Sequence, residues 1–201
     1  MQGILHIYVV LFLLLGAPLN TLVDEEYGLP PWYDPGLHKE TQVAWEALRA
    51  AAETDGLKIS IYSGYRSYQG QRFVFAREMG KHGEGADLYS ARPGHSEHQL
   101  GTALDVTWPG LPLGFPDPRT ERLYAWLVEN AHRFGFVLSY PLKTFNQWPF
   151  HNRLMPVGTS FIHEPWHIRF VGVDLAYEIF QAGYLDPTLP VTPQDFYQPW
   201  P

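Results

Sequence analysis

Along the chain, stretches whose apolar positions recur every three or four residues are interleaved with short runs that alternate every second residue. Val43, Ala44, Ala47, Leu48 and Ala51 fall at helical spacing, so a helix is expected over residues 38–55, with Gly56 stopping it. Residues 58–62 alternate instead, with Ile59 and Ile61 on one face, and read as a strand. Gly64-Tyr65-Arg66-Ser67 reads as a turn, 69–80 as a helix and 81–93 as a polar, glycine-rich loop. Residues 102–107 alternate again, with Leu104 and Val106 facing one way and Ala103 and Asp105 the other. After a proline-rich connection over 109–118, Asp117-Pro118-Arg119-Thr120-Glu121 is a helix start: Asp as N-cap, Pro in the first position, acid in the first turn. That helix carries Leu123, Trp126, Leu127, Asn130 and Ala131, and Gly135 ends it. Strands are expected over 136–140, closed by Pro141, and over 166–171, separated by a long loop at 143–160; a final helix covers 173–182. Residues 24–36, with Pro30, Pro31 and Pro35, read as an extended lead-in, and the proline-rich tail from Tyr184 is expected to pack on the surface.

Short strands mixed with a few helices and joined by short links predict an α+β fold with a small antiparallel sheet flanked by helices. There is no internal repeat, so residues 22–201 are expected to form one domain. Residues 1–21 stand apart, because 4–15 are almost wholly apolar, broken only by His6 and Tyr8. Such a run is short of the ~20 residues of a bilayer span and matches the roughly 7–15 of a signal-peptide core. The match is imperfect: Met1-Gln2-Gly3 carries no basic residue, and Gly16-Ala17-Pro18 is a poor cleavage site because Pro18 would follow the cut. The expectation is an export signal or uncleaved anchor, with a cell-envelope location and membrane contact through 4–15. A buried element of the fold or a wrongly assigned start are the competing readings, and with them a cytoplasmic location.

Composition narrows the chemistry. Hydrophobic residues make up 45% of the 201 positions and aromatics 15%, as in a folded globular protein. A net charge of −7 with interspersed signs argues against a nucleic-acid partner, which calls for a basic stripe. The absence of cysteine excludes disulfides, thiolate zinc sites and thiol catalysis. There is also no glycine-rich phosphate loop and no G-x-S-x-G elbow.

What does stand out is Ser96-Glu97-His98-Gln99-Leu100-Gly101-Thr102-Ala103-Leu104-Asp105, followed at a distance by Glu164-Pro165-Trp166-His167. Two imidazoles and a carboxylate, with a second carboxylate to spare, are the inventory of a catalytic zinc site: three ligands, an open position, and a base beside it. If 102–107 and 166–171 are adjacent strands, His98, Asp105 and His167 can surround one ion, and Glu164 lies three residues from His167. Taken singly, each has an ordinary reading: a hydrogen-bonded core histidine, or an aspartate capping a turn. His163-Glu164-Pro165-Trp166-His167 also matches H-E-x-x-H literally. That motif needs a helix, and Pro165 is hostile to one. On a strand, positions four apart lie ~13 Å from each other, so His163 is excluded as a ligand.

Three segments carry a resemblance. They are Ser63-Gly64-Tyr65-Arg66-Ser67-Tyr68 with Gln71, the run from Ala91 through His95-Ser96-Glu97-His98 to Asp105-Val106, and Glu164-Pro165-Trp166-His167 with Arg169. Together they resemble the VanY-type D-alanyl-D-alanine carboxypeptidases, relatives of the lysostaphin-like zinc peptidases and the hedgehog zinc domain. The S-x-H-x-x-G-x-A-x-D run is specific to the D-Ala-D-Ala branch, and the match covers roughly residues 22–183, including the step from Asn130-Ala131-His132 to Phe134-Gly135-Phe136. The resemblance implies a sheet that carries the metal, with His98, Asp105 and His167 as Zn2+ ligands and Glu164 as general base. It assigns Arg66, Gln71 and Ser96 to the substrate pocket. One departure is Ser139, where the family commonly has Arg before Tyr-Pro. The implied activity is removal of the terminal D-Ala from peptidoglycan stem peptides. Related peptidoglycan peptidases (an LD-carboxypeptidase, a D-Ala-D-Ala dipeptidase, an L-Ala-D-Glu endopeptidase) and a non-catalytic zinc-stabilised cell-wall-binding module are the alternatives.

Overall fold

A computed structural model describes residues 17–141, 163–186, 189 and 191–199. Among the described residues the first long element, α1 (Lys39–Thr54), turns Trp45, Leu48 and Ala52 inward along one stripe and ends at Asp55. Gly56 follows with φ 75°, and the chain reverses so that the Leu57 N–H reaches the Ala52 carbonyl at 2.9 Å. Strand β2 (Ser60–Ser63) leads into α2 (Tyr68–His82), whose N-cap Ser67 accepts from the Gly70 N–H. Further on come β3 (Ala103–Thr107), α3 (Pro118–Asn130), β4 (Phe136–Leu138), β5 (His167–Phe170) and α4 (Val173–Gln181). Asp117 caps α3 through the Arg119 N–H, with Pro118 in the first turn, as its sequence requires. Two short strands at the ends of the described chain, β1 (Thr21–Leu22) and β6 (Gln198–Pro199), pair in parallel.

The main sheet is antiparallel in the order β2-β3-β5-β4. Its central register sets Ala103 opposite Arg169, Leu104 opposite Ile168 and Asp105 opposite His167. Because side chains alternate across a strand, that register sends Leu104, Val106, Ile168 and Phe170 to one face and Asp105, His167 and Arg169 to the other. The first face meets Leu48 and Ala52 of α1, Leu123 and Leu127 of α3, and Ala176 and Ile179 of α4 in one apolar core. The fold is therefore α+β, a small antiparallel sheet with helices packed on it.

The second face is also covered, and here the structure departs from the sequence reading. Arg169 is fully buried and donates to the backbone carbonyls of Leu19 and Thr21, while its guanidinium lies over the Tyr197 ring at 4.1 Å. The tail from Tyr184 thus does not merely lie on the surface: Tyr184 and Tyr197 are buried within the core. Residues from Ala17 onward also take part in this packing, with the Ala17 N–H donating to the Tyr33 hydroxyl. Two local expectations shift as well. Ile61, opposite Val106 on the edge strand β2, is exposed although Ile59 is buried, and the register slips between Ile61 and Ser63. Part of the expected 81–93 loop is 3₁₀ helix, at Gly83–Leu88. The apolar run at 4–15 and the loop expected at 143–160 lie outside the described residues. Among the described residues, no helix is long and apolar enough to cross a membrane.

Candidate active site

His98 is carried on a single 3₁₀ turn, Glu97–Leu100, that leads straight into β3. The turn ends at Gly101, which has φ 78° and sits against the Gly36 carbonyl, where a Cβ has no room. The His98 Nδ1 lies 2.7 Å from the Gly64 carbonyl oxygen. A carbonyl only accepts, so Nδ1 carries the proton and Nε2 presents its lone pair 3.1 Å from Asp105 Oδ2. From β5, His167 points its Nδ1 to within 3.1 Å of Asp105 Oδ1. The two imidazoles meet edge to face, with centroids 5.0 Å apart.

These three residues are buried, and one ligand atom from each falls within 4.8 Å of the others. Donors at ~2.1 Å around a tetrahedral ion stand ~3.4 Å from one another; Asp105 meets the two histidines at 3.1 Å through different oxygens, and one donor atom from each residue lies within 4.8 Å of the others, a spacing that small side-chain shifts would bring onto one ion. Two imidazoles and one carboxylate are also a donor set suited to zinc. The residues present fit such an ion.

The ion-free electrostatics fit as well. Burial holds the His98 pKa below its usual value and keeps the ring neutral, as a ligand must be. Burial would also raise Asp105, but His98 and His167 outweigh it and hold the carboxylate well below its usual range. Burial opposes charge on His167 too, yet its hydrogen bonds to Asp105 and Glu97 push its pKa up to about 10. Without a metal, His167 is an imidazolium clamped between two carboxylates; as a ligand it would give up its Nδ1 proton.

Around this centre runs a cleft of about 380 Å³ lined by Arg66, Gln71, Ser96, Tyr140, Glu164 and Trp166 among others. Glu164 Oε2 stands 3.9 Å from His167 Nδ1, close to the prospective ion. Burial, with Asp105 adding to it, outweighs the pull of His167 and Arg66 and raises the Glu164 carboxyl to about 7. Arg66 sits across from it, 3.7 Å from Asp105 Oδ2, and donates from Nη1 to Gln71 Oε1 and from Nη2 to Ser63 Oγ. Gln71 is itself held by donating to Ser90 Oγ and the Ala91 carbonyl, so it fixes the guanidinium more than it offers itself to a ligand. Ser96 is buried at the cleft wall. His163, set aside as a ligand from sequence, is held at Nδ1 by the Tyr140 carbonyl and does not join the His-Asp-His group.

Sequence reasoning gave Glu97 no role. Its side chain is 1% exposed and packed beneath the metal site. Glu97 Oε2 accepts from His167 Nε2 at 2.9 Å and from Ser139 Oγ at 2.6 Å, and Oε1 accepts from Arg169 Nη1 at 2.8 Å. Burial alone would raise this carboxyl, but Arg169 and His167 overcome it and hold it at about 2. The available signal was positional: Arg169 follows His167 by two residues on a strand and so shares its face.

The fold is shared with known proteins. The LdcB LD-carboxypeptidase has the same fold, with a TM-score of 0.70 at 26% identity over 90% of this chain and 87% of that one. The vancomycin-resistance D,D-pentapeptidase VanY, solved in complex with Zn(II), superimposes with a TM-score of 0.66 at 28% identity over 83% of this chain and 94% of that one. The D-alanyl-D-alanine carboxypeptidase of Enterococcus faecalis is 32% identical over 181 residues, 81% of this chain. The chain spans only 59% and 62% of the length of two curated relatives, from Bacillus subtilis and E. faecalis respectively. Residues 34–173 match the family model described as VanY: D-alanyl-D-alanine carboxypeptidase, and the chain belongs to that family.

Proposed function

We propose that this protein is a zinc-dependent D-alanyl-D-alanine carboxypeptidase that removes the C-terminal D-Ala from peptidoglycan stem peptides. The observation that carries the reading is the convergence of three kinds of group on one cleft: the His98-Asp105-His167 donor set, the unliganded Glu164 carboxylate and the Arg66 guanidinium. Zinc bound by the three donors supplies Lewis acidity toward water and toward the scissile carbonyl. Glu164 then has the work of a general base: its carboxylate takes a proton from the attacking water and returns it to the leaving amine nitrogen. Arg66 suits a free terminal carboxylate, because a planar guanidinium binds carboxylate through two charge-assisted bonds. Its hydrogen bonds to Gln71 and Ser63 hold that plane in place while leaving further N–H donors for a ligand. Such preorganisation lowers the entropy cost of fixing the substrate.

The expected ligand set, base and pocket residues are part of this proposal, and so is an envelope location with membrane contact through 4–15, supported by the apolar run there. Glu164 beside the donor set speaks against a purely structural zinc module, which has no use for an unliganded carboxylate. A second reading, cleavage of an L,D bond, is favoured by the likeness to the LdcB LD-carboxypeptidase.

Mass spectrometry of synthetic stem peptides incubated with the zinc-loaded protein separates these. Loss of a single alanine from a pentapeptide ending in D-Ala-D-Ala, and no loss when that terminus is amidated, is the expected result. Cleavage confined to tetrapeptides favours the L,D reading. Release of a dipeptide or internal cleavage makes the protein a different peptidase, and no cleavage at all favours the binding module.

A further inference from the structure

We propose that Glu97 is a positioning residue of the metal centre: it acts through His167, fixing which ring nitrogen faces the ion. This rests on the reading of His98, Asp105 and His167 as the ligand set. The two histidines reach Asp105 by different atoms, His98 by Nε2 and His167 by Nδ1. For His98 the choice is made by the Gly64 carbonyl, which holds the proton on Nδ1. For His167 the corresponding partner is Glu97, whose Oε2 lies 2.9 Å from Nε2 on the side of the ring away from Asp105. A carboxylate only accepts, so the proton stays on Nε2 and the Nδ1 lone pair is turned to the ion. A carboxylate bonded to a ligating imidazole also makes that nitrogen a stronger donor.

Glu97 is itself held so that it cannot turn away. Arg169 Nη1 takes Oε1 at 2.8 Å, and Ser139 Oγ donates to the same Oε2 that meets His167. Arg169 is anchored in turn by the Leu19 and Thr21 carbonyls. The strap of chain that covers Arg169 on this same face of the sheet is thereby linked, atom by atom, to the orientation of a ligand ring.

The test measures zinc affinity by chelator competition on folded wild type, Glu97→Gln and His98→Ala. A glutamine keeps the volume but has one acceptor oxygen, which cannot serve both Arg169 and His167. Glu97→Gln is expected to bind zinc roughly 10–100-fold more weakly than wild type. Affinity of the folded variant within about twofold of wild type, whatever its thermal stability, would mean that Glu97 serves only packing, and would overturn the proposal. His98→Ala keeps the underlying reading separate. If wild type binds one zinc and His98→Ala does not, the ligand set stands whatever Glu97→Gln does; if His98→Ala binds as well as wild type, the ligand set itself falls. Long-range ¹H–¹⁵N correlation on zinc-loaded wild type needs no variant: His167 must appear protonated at Nε2, and protonation at Nδ1 overturns the assignment.

Discussion

At the scale of the residue, the proposed mechanism separates groups that bind from a group that moves a proton. Glu164 lies 3.9 Å from His167 Nδ1 and is not one of the three clustered donors, so a change there spares the metal. Glu164→Gln, equal in size and unable to take a proton, is expected to keep stoichiometric zinc by elemental analysis while hydrolysis falls by roughly 10²–10⁴. Turnover within a few-fold of wild type would remove Glu164 from the mechanism. His167 makes a different prediction, about pH. Its raised ion-free pKa of about 10 means that the folded apoprotein holds a proton on the ring at neutral pH, and that proton must leave when zinc binds. His98 is already neutral and adds little. Apparent zinc affinity should therefore rise by about tenfold per pH unit between pH 6 and 8, because each unit frees ten times more of the ligating form. An affinity flat over that range would show that His167 does not give up a proton to the metal.

At the scale of the element, the site depends on a tight turn feeding a strand. Gly101 joins the His98 turn to β3, in a backbone region that costs a residue with a Cβ about 1–2 kcal/mol, and with the Gly36 carbonyl in the way. Gly101→Ala is expected to lose more than that in a urea unfolding titration, and to weaken zinc binding because His98 and Asp105 are displaced relative to each other. Full stability and full affinity together would show that the turn is not constrained. The same scale shows what a sequence can disclose. Helix limits were legible at Gly56 and Asp117 because caps and stops act locally, through hydrogen bonds that the flanking residues determine; the helix expected to run to Gly135 ends instead at Asn130, where a 3₁₀ turn (Ala131–Phe134) takes over and is the element that Gly135 closes. The convergence of His98, Asp105 and His167 was legible because strand alternation assigns faces, and two strands bearing polar groups amid apolar ones have few ways to pair. Glu97 was not, because its function comes from Arg169 and Ser139, which lie far away in the chain, and a glutamate next to a histidine carries no mark of being buried. The closing role of 17–23 and of Tyr197 was hidden for the same reason: what they cover is a buried arginine, and proline-rich, aperiodic chain gives no sign of a polar partner.

At the scale of the whole molecule, the metal centre is a junction between parts of the chain that are far apart in sequence. His98 and Asp105 come from the middle of the chain, His167 from β5, and the support of His167 runs through Glu97 and Arg169 to the backbone of residues 19–21. An ion that draws the three donors together holds β3 against β5, and unfolding must release it. Binding to the folded state alone stabilises that state by RT ln(1 + [Zn]/Kd), so each tenfold rise in free zinc above Kd adds about 1.4 kcal/mol. For a domain of this size 1 kcal/mol moves the melting temperature by about 2–4 °C. The melting temperature should thus climb by roughly 3–6 °C per decade of buffered free zinc and fall to a fixed lower value in excess chelator. In His167→Ala the climb should vanish over the same zinc range, because the loss of one of three ligands moves Kd beyond it. A melting temperature that ignores zinc in the wild-type protein would mean that the three side chains, although adjacent, do not hold an ion in the folded state.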